Sequence, residues 1–464
     1  MLRYTALTTR LLILFILFLS LVGGSSSQKV LIDDCKCAPN EVLIVLSPGN
    51  ARQLPNIAAQ YNLNPTPLSE VGIPPTYRMQ IDRSLTSAPP TQIIAAMQND
   101  NRILNKETNR NLNLSEGYGL DWTLGQSWAI GDRSGRSGIY TGQAFLQQIR
   151  LNEAQAVASG QGVTIAVLDT GIDANHAAFA GRLVPGYDFV GNDNDPSEEG
   201  AFRQNPTYGH GTHVAGIIAL TAPNAKIMPI RVLDRDGVGN IWRIKDALIW
   251  AAQHGATIVN MSFGYPSDVI QQNNTFLQDL FHGCDDINVP GERQFPEFNG
   301  ARLLIVAGAG NGGQIGNGAR QVFPAAERGQ TDSNVISVGA NTNQDTLASF
   351  SSMANVIDRG TDRWVRVVAP GVNIVSAYPG RRYVFWSGTS MSTPIVSGIA
   401  ALVKSAHPTI TSTEIVSRIE ETGYDWKCTV GSRNITMETS RVDAFCAVTN
   451  NTTCFPITRT SCPE

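Results

Sequence analysis

Charge is scarce in this 464-residue chain. Asp, Glu, Lys and Arg make up 16% of it, and 35 basic residues nearly cancel 39 acidic ones, for a formal net charge of −4. Such a balance gives no reason to expect nucleic acid as a partner, and it argues against a coiled coil or a disordered chain. Histidine is rarer still, with six residues. No His or Cys cluster with zinc spacing surrounds Cys35-Lys-Cys37, so this pair is not read as a metal site. Long apolar runs are missing beyond the N-terminus. The one present, Leu11 to Val22, is short for a membrane-spanning helix. Arg3 and Arg10 precede it and Gly-Gly-Ser-Ser-Ser follows, so residues 1–27 read as a secretory signal peptide, with a soluble, exported protein behind it.

What is plentiful is apolar content, at 42%, together with 43 Gly and 24 Pro. That mixture fits a loop-rich α/β globule of roughly two to three domains. The seven cysteines stand at 35, 37, 284, 428, 446, 454 and 462. Four of them crowd the end of the chain, which predicts a disulfide-stapled C-terminus made in an oxidising compartment. The pairing stays open, and the odd number leaves one thiol free or paired between chains.

Residues 38–113 form a first module in which strand Glu41–Ser47, helix Ala51–Leu63 (Pro55 in its first turn), strand Tyr77–Asp82 and helix Thr91–Met97 alternate. Residues 114–139, rich in Gly, Ser, Trp and Arg, read as a connector. A helix over Ala144–Ala158 follows. Next comes a series of near-continuous apolar strands: Val163–Leu168, Ala225–Leu233, Thr257–Met261, Leu303–Ala307, Val335–Val338 and Val365–Val368. Helices His213–Leu220 and Ile241–His254 intervene. Unbroken apolar strands alternating with helices predict a doubly wound, mainly parallel sheet with helices on both faces. In such sheets, ligands and reacting groups gather at the carboxyl ends of the strands. Asp169 and the turn Gly308-Ala-Gly-Asn-Gly-Gly313 stand at two of those ends.

Three segments carry the chemistry. Ser387-Gly-Thr-Ser-Met-Ser-Thr-Pro394 leads into an apolar run ending at Val403, a Gly turn that presents Ser390 at the positive end of a buried helix. Gly209-His-Gly-Thr-His-Val-Ala-Gly216 carries a Gly-flanked histidine into a second apolar helix, and Asp169-Thr-Gly-Ile-Asp173 closes a buried strand. Acyl transfer needs a nucleophilic hydroxyl, an imidazole to take its proton and a carboxylate to fix the imidazole's tautomer. Taken singly, each residue has a blander role: Ser390 in a capping cluster, His210 as a structural histidine, Asp169 as a helix cap. His213 and Asp173 are the nearest decoys.

Together these motifs resemble the subtilisin family of secreted serine endopeptidases, over Tyr140 to about Ala444 and in that family's order of Asp, His, Ser. The resemblance implies that Asp169 orients, His210 is the general base and Ser390 the nucleophile. It also implies that Asn311, in Ala-Gly-Ala-Gly-Asn-Gly, donates to the oxyanion together with the Ser390 N–H. Gly237 and Gly239 on one side, and Ser262 and Gly264 on the other, would flank an extended peptide as added strands. Gly308 and Gly310 would line a roomy primary pocket for neutral or apolar side chains. His213 would be structural. Ser392 stands where the family usually has Ala, a change expected to be harmless.

The resemblance further recasts residues 38–113 as an inhibitor-type propeptide, cut away somewhere between Ile103 and Gly142. It sets residues 140–445 as the peptidase domain and 446–464 as a Cys-rich tail. Partners would be protein or peptide substrates and the chain's own propeptide, with the enzyme a monomer. No cofactor is required. The family's tight calcium loop is missing, because Gly216–Asn224 runs straight into the next strand. Weak calcium binding stays open, and Gly191-Asn-Asp-Asn-Asp-Pro196 is read as a solvated turn. Two rivals remain. One is a dinucleotide-binding oxidoreductase built on Gly308–Gly313 with Asp332, opposed by the Gly and Pro residues where its helix would run. The other is a catalytically silent peptide-binding scaffold of the same fold.

Overall fold

The computed structural model describes residues 37–72, 75–114, 129–130, 137–266, 303–313, 322–326, 334–353, 364–430, 435–452, 454 and 459–460. The segment expected to be a signal peptide and the greater part of the expected connector lie outside the described residues. Among the described residues, no helix is long and apolar enough to cross a membrane.

A ten-stranded sheet forms the centre. Its strands run from one edge to the other as Arg459–Thr460, Tyr424–Val430, Ile435–Arg441, Val367–Pro370, Val335–Asn341, Leu304–Gly308, Ile258–Met261, Thr164–Asp169, Lys226–Arg231 and Tyr187–Asp188. Every pairing is parallel except that of Tyr424–Val430 with Ile435–Arg441. The sheet is therefore the mainly parallel one that the apolar runs predict.

Those runs have to be apolar at every position, because successive side chains enter different cores. Ile165 and Val167 pack with helices His210–Thr221 and Thr389–Ala406 on one face. Ala166 and Leu168 pack with helix Ile241–Gln253 on the other. The layers set the site: the two helices on the first face begin where their neighbouring strands end, so their first turns meet at the carboxyl edge of the sheet.

The first module has a core of its own, including Val42, Ile44, Leu46, Ile57, Ile81 and Met97. The alternate residues of the same strand, Leu43 and Val45, join the core beneath helix Ile241–Gln253. The stretch Val42 to Leu46 of strand Cys37–Leu46 is thus apolar throughout because it is buried on both faces. The module contains two strands that sequence reasoning did not assign, Ser69–Val71 and Ile103–Leu114. The second pairs with Cys37–Leu46 and then continues past the module. Its polar sequence, Ile-Leu-Asn-Lys-Glu-Thr-Asn-Arg-Asn-Leu-Asn-Leu, hides it, because the backbone makes the pairing.

Three boundaries differ from expectation. The helix predicted over Ala144–Ala158 is two, Ala144–Gln148 and Leu151–Val157, broken at Arg150 with φ 50°. That conformation accompanies an ion pair between Arg150 and Asp443 (Nε to Oδ2, 2.8 Å), nearly three hundred residues away in the chain. The boundary expected between 445 and 446 falls inside helix Ala444–Thr449, whose Cys446 is fully buried and disulfide-bonded to Cys454. Residues 459–460 add a strand to the main sheet, so the tail belongs to the domain. The boundary expected at 139/140 likewise falls inside helix Ser137–Thr141.

Candidate active site

Asp169 is the last residue of its strand and is almost fully buried. Its Oδ1 accepts from the Thr170 N–H (2.8 Å) and from His210 Nδ1 (2.7 Å). An ionised carboxylate only accepts, so Nδ1 carries the proton and Nε2 is left as the basic nitrogen. His210 opens its helix directly after Gly209, whose φ of 87° an L-residue adopts only with strain. The approach to the Asp169 strand is just as tight. A Cβ on Gly211 would lie 2.2 Å from the Gly171 carbonyl oxygen.

His213 and Asp173 take other parts. The His213 ring bonds the Val384 carbonyl through Nε2 (3.2 Å), and burial pushes its pKa down to about 3. It is a neutral structural histidine. Asp173 braces a turn by accepting from the Asn175 and Gly380 N–H groups.

Ser390 is the second residue of helix Thr389–Ala406, two residues after the N-cap Gly388. The three serines of the stretch separate cleanly. Ser387 Oγ accepts from the Asn373 N–H, and Ser392 Oγ donates to the Ala369 carbonyl. Ser390 Oγ donates to the Ser262 carbonyl at 2.9 Å, and the Ser262 hydroxyl donates back to the Ser390 carbonyl at 3.0 Å. Pro394 makes that return bond available. It stands four residues after Ser390 and has no N–H to take the carbonyl within the helix. Asn260, itself fixed by the Ser397 hydroxyl, donates to Ser262 Oγ and completes the chain. The indole of Trp386 lies edge-on to both His210 and His213, with ring centroids 5.4 Å apart in each pair.

Asn311 is 3% exposed. Its Oδ1 accepts from the Thr389 N–H (2.9 Å) and the Thr389 hydroxyl (3.0 Å). With the oxygen fixed by an N–H, the amide orientation follows from the bonding, and the NH2 group is turned away from Thr389. The surrounding turn is not built for phosphate. The N–H groups of Gly310, Gly312 and Gly313 are already taken by Thr389 Oγ1, Ser352 Oγ and the Phe350 carbonyl. The dinucleotide reading loses its cradle.

Gly239 and Gly264 do flank an extended strand, and the strand is the chain's own. Leu112 pairs with Gly239 and Asn113 with Val238 on one side; Asn113 pairs with Gly264 and Leu114 with Phe263 on the other, all antiparallel. Gly237 sits outside this ladder, in a turn closed by its N–H to the Asp234 carbonyl (2.9 Å). Gly308 and Gly310 leave less room than expected. A Cβ on Gly308 would meet the hydroxyls of Thr393 and Thr389 at 3.2 and 3.3 Å, and one on Gly310 would meet Val322 Cγ2 at 2.9 Å. Their missing side chains serve close packing.

Two contributors escaped sequence reasoning: the strand Ile103–Leu114, and Glu198, which lies in a polar stretch without periodicity and bonds across to the His210 helix. Helix His210–Thr221 runs unbroken and the next strand opens at Lys226. Asp193 and Asp195 accept from backbone N–H groups two residues onward, as in solvated turns. Among the described residues, no group of three or more His, Cys, Asp or Glu side chains is arranged to hold a metal ion.

Comparison with known proteins decides the family. A family model described as the subtilase family, Peptidase_S8, matches residues 160–443. The chain belongs to the subtilase family. Its subtilase relatives include a thermophilic serine proteinase of Bacillus sp. (strain AK1), 37% identical over 62% of this chain and 61% of that protein. They include thermitase of Thermoactinomyces vulgaris, 36% identical over 56% of this chain and 81% of that protein. The match to the Bacillus protein therefore falls short of two thirds of its length. The crystal structure of fervidolysin from Fervidobacterium pennivorans, described as a keratinolytic enzyme related to subtilisin, overlays 90% of this chain and 62% of its own with a TM-score of 0.63. At 20% identity it speaks to the fold, and that likeness reaches beyond residues 160–443.

Proposed function

We propose that this subtilase is a secreted serine endopeptidase made as a self-processing zymogen, with Asp169, His210 and Ser390 as its triad and Asn311 as its oxyanion donor. In the first step the Ser390 hydroxyl proton passes to His210 Nε2 while Oγ adds to the substrate carbonyl carbon. The resulting oxyanion takes hydrogen bonds from the Asn311 NH2 and the Ser390 N–H, at the positive end of an 18-residue helix. His210 then gives its proton to the leaving amine. Water repeats the sequence on the acyl-enzyme, and Asp169 holds the His210 ring in place throughout. No cofactor enters this scheme.

The observation that carries the zymogen reading is the strand Ile103–Leu114, held between the two edge segments in the manner of a bound peptide. We read residues 38–113, extended to Leu114, as an inhibitory propeptide. Its register also suggests the bond that is cut. Gly264 faces Asn113 and Phe263 faces Leu114, so the ladder as described ends one position short of Ser262. Ser262 is the residue whose carbonyl holds the Ser390 hydroxyl. Within the expected interval from Ile103 to Gly142, we propose the peptide bond after Ser115, the next residue of the chain after Leu114, as the scissile one. A substrate N–H arriving at the Ser262 carbonyl would compete for it and release the Ser390 hydroxyl toward His210. Val322 beside Gly310 favours small or modest apolar side chains in the primary pocket.

Labelling with a fluorophosphonate tests the triad, because the reagent needs an activated serine. Wild type is expected to label at Ser390 and Ser390→Ala to stay unlabelled. Failure of the folded wild type to label would instead favour the silent peptide-binding scaffold.

A further inference from the structure

Behind the Asp169–His210 pair stands a second carboxylate that the mechanism above does not use. Glu198 belongs to a half-buried loop residue, but its carboxylate turns inward. Oε1 accepts from the Thr212 N–H (2.9 Å) and the Thr212 hydroxyl (3.0 Å). Oε2 accepts from the Gly209 N–H (3.2 Å) and the Thr170 hydroxyl (3.1 Å). These four partners bracket the pair. Gly209 precedes His210 and Thr212 follows it by two residues, while Thr170 adjoins Asp169 and donates its own N–H to Asp169 Oδ1. Thr170 Oγ1 closes the loop by accepting from the Gly211 N–H at 3.0 Å.

We propose that Glu198 is a positioning residue for this pair: its ionised carboxylate clamps the first turn of the His210 helix to the Asp169 turn, and its charge favours the imidazolium that His210 must become. All four contacts are donors, so they match an acceptor-only carboxylate and would oppose a protonated one. The net direction of the Glu198 pKa is upward, driven first by burial and also by the charge of Asp169, with the hydrogen bonds from Thr212 and Gly209 holding the rise back. The arrangement is one in which the protein places a second negative charge near the first and supplies donors to keep it. The other ionisable groups around it are Asp169 and His210 themselves, Asp173, Tyr208 and Tyr378, the two tyrosines being pushed up in part by Glu198. Neighbouring Glu199 is engaged elsewhere, by Arg231 Nη2 at 2.6 Å. A helix cap with no part in the chemistry would affect stability alone, so the two roles are separable.

This inference rests on His210 being the general base. The test is Glu198→Gln, which keeps the shape and removes the charge. Active sites are counted by fluorophosphonate labelling, and kcat and KM are measured on a peptide substrate from pH 5 to 9. Per labelled site, kcat is expected to fall about tenfold or more with KM within twofold of wild type. The acid limb of kcat/KM is expected to move down by about half a unit or more, because losing a nearby negative charge disfavours imidazolium. Glu198→Asp, which retains the charge on a shorter arm, should keep the wild-type limb and lose kcat only partly. An unmoved limb with wild-type kcat in Glu198→Gln, whatever happens to its melting temperature, overturns the proposal. If Glu198→Gln yields no labelled sites, Glu198→Asp decides: lowered kcat on an unmoved limb supports the clamp, and unaltered kcat and KM overturn it. A wild type that does not label would count against the triad itself, which keeps the two failures distinct.

Discussion

Two buried ionisable groups, one in each part of the molecule, respond to pH in opposite directions. Glu107, in the first module, is 8% exposed and has Arg110 at 3.4 Å; burial raises its pKa to about 7. It pairs across the ladder with Leu43, so it shares the face that meets helix Ile241–Gln253. An acid whose pKa is raised by folding contributes stability fully below its unfolded value, here 4.5, and loses it as pH rises through about 7. His213, in the peptidase part, has its pKa lowered from 6.5 to about 3. Its contribution is complete above 6.5 and fades as pH falls through that interval. The difference teaches that two parts joined by one hydrogen-bonded ladder and a shared core can still draw opposite pH dependences from their buried groups. Raising the pH from 5 to 8 loosens the module's hold while leaving the peptidase part at its best.

The largest effect that can sharpen this contrast comes from Asn311→Ala. It should lower kcat by about 10²–10³ with little change in KM, the loss that one such donor costs in this family. If the same site also cuts the module away, processing slows by the same factor. Turnover and processing that slow by different factors would divide the two reactions between different agents. A smaller effect is expected from Glu107→Gln, measured by urea unfolding of full-length Ser390→Ala protein at pH 5 and pH 8. The parent should lose stability on the order of 3 kcal/mol in the module's transition across this range. The variant should lose little. A pH dependence that survives in Glu107→Gln would place its origin elsewhere.

The same contrast explains what was legible in the sequence. The proposed site of Asp169, His210, Ser390 and Asn311 is legible because acyl transfer calls for particular side chains, and the glycines beside them answer to tight turns. The alternation of two-sided apolar strands with helices gives the parallel sheet for a similar reason, since burial on both faces leaves few residue types to choose from. Strand Ile103–Leu114 is not legible, because its Asn-rich end pairs through the backbone and any side chains would serve. Glu198 is not legible either; nothing local distinguishes it from Glu199, and only the fold brings it to Thr212 and Gly209. Arg150 breaks a helix next to Asp443, a partner no window of sequence contains.

The most direct test of the account is the mass and new N-terminus of the freshly folded chain. Wild type should divide after Ser115, giving a product that begins at Glu116, at a rate independent of protein concentration, while Ser390→Ala stays uncut. Cleavage of Ser390→Ala at the same bond, or a wild type that divides only at a rate proportional to concentration, would contradict it.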